Sequence, residues 1–173
     1  MTTRIPNNML DPGAQFSNTR VVDGSSVAAS QQPSALDTPL QVEFGPAVGS
    51  SSTDAMLSSA GALTINVTGV YRIEISVQFG RTGGASVSKL MFRVKANGTQ
   101  AGATIMAHVD ASTVLIPLNE KSTLNLSAGT VLTWEVARSS AGSGHNSGGL
   151  FAGDTAGGWN AAPCARIRVD RLR

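Results

Sequence analysis

The stretch Gly61–Phe79, GALTINVTGVYRIEISVQF, decides the fold class. Leu63, Ile65 and Val67 share one face of a run that ends at the turn Thr68-Gly69. Beyond it Tyr71, Ile73, Ile75, Val77 and Phe79 share a face, with Arg72, Glu74, Ser76 and Gln78 opposite. A period of two held over this length marks half-buried strands. The apolar face is rich in β-branched and aromatic residues, which fit a pleated surface. No residue in the stretch suggests chemistry.

The same reading extends outward. Leu40–Phe44 alternates as a first strand, and Gly45–Ala60 reads as a loop. In Lys89–Ala96, Leu90, Phe92, Val94 and Ala96 face inward, with Lys89, Met91, Arg93 and Lys95 outward. Asn97-Gly98 follows, a pair favoured at positive φ and the strongest short hairpin signal. Thr104–Val109 and Thr113–Leu118 read as shorter strands, and Pro117 puts the second at an edge or a strand end. Ser122–Arg138 alternates through Leu124 and Leu126, breaks at Ala128-Gly129, and resumes with Leu132, Trp134 and Val136. Residues 139–160 read as one long Gly/Ser loop holding His145, Leu150, Phe151 and Trp159. Such a length points to function or to pinning. Ala165–Leu172 closes the chain. The sum is roughly eight strands with few helices and turns at the spacing of an all-β, antiparallel sandwich or jelly roll.

Residues 1–36 hold no sustained period. Pro6, Pro12, Pro33 and Asp23-Gly24 interrupt any element, and GSSVAASQQPSA is a tract of small polar residues. Ile5, Met9, Leu10, Phe16, Val21 and Val22 are nonetheless too apolar for a purely solvated tail. The expectation is an extended docking arm over 1–36 that orders on a partner, with Ile5, Met9, Leu10 and Phe16 as docking residues, followed by a jelly-roll domain over 37–173. A disordered terminus explains the isolated protein equally well.

The 173 residues suit one domain with an extension. A charged fraction of 14% is low, as expected of a β-rich protein partly covered by neighbours or of a loop-rich monomer. The net charge of +2 argues for no nucleic-acid partner. Arg166, Arg168, Arg171 and Arg173 gather at the end, but their alternation with Ile167 and Val169 favours the solvated face of a last strand. Cys164 is the sole cysteine, so a disulfide within the chain is excluded and a buried thiol is expected. The start, MTTRIPNNML, lacks the apolar core of a secretory signal, and no apolar run suits a membrane span. Synthesis in the cytoplasm is the expectation, which makes the sequons at Asn66, Asn97 and Asn125 chance matches.

Local phrases resemble the globular heads of the complement-component and tumour-necrosis-factor superfamily. They are Gly61–Val67 followed by Gly69-Val70-Tyr71, then Leu124–Gly129 through Trp134, and Leu150-Phe151-Ala152-Gly153 before the last strand. The resemblance covers about residues 40–172. Thr130 stands where an acidic residue often follows the turn glycine, and the 139–160 loop is longer than usual, so the family's calcium sites are not carried over. The resemblance implies a jelly-roll protomer assembling as a trimer through aromatic-rich faces. It names Tyr71, Phe79, Phe92, Trp134 and Phe151 as candidate interface residues, each also open to a role in the protomer's own core. The apolar arm and the lack of a collagen stalk look more like a bacteriophage virion protein than an animal one.

Enzyme motifs are absent: no HExxH, CxxC, GxSxG or GxxxxGK[ST] occurs. The pairs His145 with Asp154 and His108 with Asp110 lack the further partners that a triad or a metal site needs. No catalytic residue, cofactor or metal is expected. Two functions remain. One is a virion structural protein, a trimeric head pinned by its arm to capsid or tail proteins as a decoration protein or short fibre. The other is a receptor-binding head of a tail fibre, with His145 and Trp159 of the long loop contacting a host glycan or protein.

Overall fold

The computed structural model describes residues 19–26, 30–46, 53–83, 87–141, 147–155 and 157–172, and every helix or strand assigned among them is a strand. Seven strands are long: β1 (Thr19–Ser26), β6 (Gly69–Arg81), β7 (Ser88–Ala96), β8 (Thr99–Val109), β9 (Ile116–Leu126), β10 (Val131–Arg138) and β12 (Ala165–Arg171). Five have four residues or fewer: β2 (Ser30–Gln31), β3 (Leu40–Gln41), β4 (Ala55–Leu57), β5 (Leu63–Ile65) and β11 (Gly148–Phe151). Alternation announces β3 and β5, whereas β2, β4 and β11 are too brief to show it.

The strands form two antiparallel six-stranded sheets. In the first, β6 is the central strand. β9 pairs with it from Gly69 to Phe79, while β12 and then β11 share its other side. β1 lies outside β12 and β2 outside β11. The second sheet runs β4-β5-β10-β7-β8, with β3 also on β10.

The two runs of the opening stretch lie in different sheets. The chain leaves β5 at Ile65 and enters β6 at Gly69, so Leu63 and Ile65 face Tyr71, Ile73, Ile75, Val77 and Phe79 across the sandwich, all buried. Tyr71 caps the crossover by donating its hydroxyl to the Val67 carbonyl at 2.5 Å. Phe44 meets Trp134 edge-on at a centroid distance of 5.4 Å, and Phe79 meets Phe92 at 6.2 Å, the geometry that aromatic quadrupoles favour. Asn97 and Gly98 take φ of 49° and 81° in the β7–β8 hairpin, as their pairing predicts. Cys164 is fully buried and accepts a hydrogen bond from Gln31 Nε2 at 3.2 Å.

Residues 19–26 and 30–31 correct the expected arm. Thr19–Ser26 registers against β12, Val22 is buried, and Gln31 bonds to the backbone of Glu43. Asp23-Gly24 reads as a turn in sequence, but a Cβ at Gly24 would stand 2.8 Å from Leu57 Cδ2. Glycine serves there for close approach of a strand, not for a break. The long loop over 139–160 is corrected likewise, because β11 lies within it and buries Leu150 completely.

Candidate functional site

β8 and β9 are the last strands of their respective sheets, and each is 11 residues long. Between them the sandwich stays open, leaving a cleft of about 360 Å³. Its floor is core: Ile73, Ile75, Phe92, Leu132 and Trp134 all line it. Its rim belongs to the edge strands. Register places Leu118, Glu120, Ser122 and Leu124 of β9 opposite Val77, Ile75, Ile73 and Tyr71, on the inward face. β8 contributes Ala101 and Ile105 beside a register shift opposite Phe92–Val94. Leu124 is 39% exposed although it occupies a core-facing position, because no further strand covers that edge among the described residues.

Several charges on the outer faces are paired. Arg72 donates to Asp170 at 2.8 Å, Arg168 approaches the same carboxylate at 3.3 Å, and Lys121 approaches Glu74 at 3.1 Å. Arg166 faces Asp23 and Arg171 faces Asp54, so the terminal basic run is matched by carboxylates wherever it is described. On the other sheet Glu135 receives Arg93 and Lys95. Burial works against the Glu135 carboxylate, but these two hydrogen bonds outweigh it and hold its pKa below the usual value. Burial chiefly raises the Tyr71 phenol.

The candidate residues separate. Tyr71, Phe79, Phe92 and Trp134 are at most 3% exposed and fill the space between the sheets. Their expected role at an interface is corrected: both faces of the sandwich already cover them. Phe151 is half-buried, and together with Leu115 it occupies the space that a Cβ on Gly80 would enter. Trp159 is 80% exposed. Ile5, Met9, Leu10, Phe16 and His145 lie outside the described residues. His108 and Asp110 are both exposed, and no group of three metal-ligating side chains occurs among the described residues. The cleft itself was missed by sequence. Its only signal was the interruption of β9's apolar inward positions, Ile116, Leu118, Leu124 and Leu126, by the polar Glu120 and Ser122.

Comparison with solved structures decides what this sandwich is. An Eiger TNF from S. frugiperda overlays 90% of the chain, and 94% of its own, at a TM-score of 0.55 and 12% identity. Murine APRIL overlays 88% and 98% at a TM-score of 0.52 and 13% identity. The fold is the TNF-like jelly roll. The globular domain of zebrafish complement 1qA overlays 90% and 97% at a TM-score of 0.49 and 13% identity. No family model and no curated protein matches the sequence. At such identities the TNF-like jelly roll is a statement of architecture alone.

Proposed function

We propose that the chain is a non-enzymatic virion structural protein, a homotrimeric head held to a phage capsid or tail by its N-terminal arm. It is made in the host cytoplasm and acts as decoration, cement or a short fibre. The observation that carries self-assembly is the open β8/β9 edge. Two long edge strands flank a cleft over the core, with Leu124 left 39% exposed at its rim, an arrangement that proteins cover or blunt. A second copy is the occupant that a closed symmetric assembly supplies, and burial of this edge also accounts for the low charge.

Anchoring rests on where the chain enters the domain. Thr19 opposes Arg171, which opposes Tyr71, so residues 1–18 join at the end of the sandwich where the C-terminal strand finishes. An arm attached there leaves the rest of the head free, and repeated arms on one scaffold multiply weak contacts.

The first test is absolute mass by light scattering during size exclusion. Wild type is expected at three times the 17.7 kDa protomer mass at micromolar concentration, and Leu124→Glu at the protomer mass with unchanged circular dichroism. A monomeric wild type overturns the assembly. Removal of residues 1–18 is expected to preserve the mass and abolish retention on particles. Retention at full occupancy overturns the arm.

A further inference from the structure

The segment between β11 and β12 is a finger, not a slack loop. Gly153 N donates to Ala162 O at 2.9 Å, which closes the base of the segment, and Gly157-Gly158 lie midway between the two in sequence. Both glycines are left-handed, at φ of 53° and 86°, as a two-residue type I′ turn requires. A Cβ on either would meet nothing within 4 Å, so the turn stands clear of the body. The base is fixed: Gln78 Nε2 donates to Pro163 O at 2.8 Å, Gln78 N to Cys164 O at 2.9 Å, and Cys164 N to Ser26 O at 2.9 Å.

Trp159 follows the turn directly and is the most exposed large apolar side chain described. Leaving an indole in water forgoes about 2–3 kcal/mol of burial, on the scale of other large apolar side chains. Its neighbours on the finger, Asp154, Thr155 and Asn160, are exposed hydrogen-bonding residues. The finger emerges level with Gln78 of β6, seven residues from Tyr71 and the arm's point of entry, or ~23 Å at strand rise.

We propose that this finger is a carbohydrate-binding site, with Trp159 stacking on the C–H face of a sugar ring and Asp154 and Asn160 bonding its hydroxyls. The surround selects that ligand class. A protein partner of standard size buries about 800 Å² per side around several apolar anchors, whereas the described finger offers one aromatic in a polar frame. A sugar has the complementary make-up, one apolar face edged by hydroxyls. An indole is amphipathic and rigid enough to meet it at little entropic cost. The inference shares with the proposed function a head displayed away from its anchor, but it does not depend on the number of copies.

The test uses the full chain on an array of immobilised mono- and oligosaccharides, with light scattering on the same samples. Wild type is expected to bind a subset of sugars. Trp159→Ala should weaken that binding at least tenfold at unchanged mass, and Trp159→Phe should retain part of it. Because Trp134 is buried, sugar binding should also blue-shift the emission of Trp159 alone. Absence of any array signal overturns the proposal, as does binding by Trp159→Ala equal to wild type. A lower assembly mass for Trp159→Ala also overturns it, by making the indole a contact between copies. A wild-type monomer that binds sugar through Trp159 refutes the trimer and leaves the finger standing.

Discussion

Val22→Ala separates a strand from an arm. Val22 is 2% exposed in β1, within the core cluster. The substitution removes two buried methyl groups, about 0.8 kcal/mol each. A residual cavity of ~40 Å³ adds about 1 kcal/mol at ~24 cal/mol per Å³. The expected cost is about 2–3 kcal/mol, or about 5–10 °C of melting temperature for a chain of this size. Thermal unfolding followed by circular dichroism reads it directly. Phe16→Ala and removal of residues 1–18 serve as controls, and both are expected to leave the melt unchanged if those residues dock only on a partner. A Val22→Ala melt within 1 °C or so of wild type would refute the packing of β1. The docking arm would then regain its expected boundary at 36.

Two glycines should respond to alanine by very different amounts. Gly98→Ala meets open space and pays only the left-handed backbone cost of about 1–2 kcal/mol, whereas a Cβ at Gly61 would stand 1.9 Å from the Val42 carbonyl oxygen and should prevent folding. Urea midpoints compare them, and a folded Gly61→Ala would contradict the close approach. Tyr71→Phe should cost about 1 kcal/mol by removing the bond to Val67, read as a shifted midpoint at unchanged slope. Glu135 sits below its ordinary value of 4.5, so its contribution to stability is complete above that pH and is lost as pH falls through the folded value. Stability measured between about pH 5 and pH 3 should therefore fall less steeply in Glu135→Gln, and identical slopes would remove the ion pairs from the account.

The sequence alone determined the strands that alternate for six or more residues. In β6, β7 and β10 the inward residues named from periodicity are those buried or packed on the core, because a period of two leaves one side for each face. Asn97-Gly98 was legible for a similar reason: few residues adopt the backbone that a two-residue hairpin demands. Cys164 was legible as a buried thiol.

Only the tertiary structure decided the rest. β1, β2 and β11 are strands because β12, β11 and β6 respectively offer them partners, and Asp23-Gly24 and Gly148-Gly149 carry no pattern from which to read that. Tyr71, Phe79, Phe92 and Trp134, named for an interface, are buried between the protomer's own sheets, since alternation states that a side chain is covered but not by which chain. Leu124 shows the converse. Its pattern says core, yet it lines an open cleft, because its strand is the last in its sheet. The order of strands in a sheet is a long-range property, and local periodicity holds no record of it.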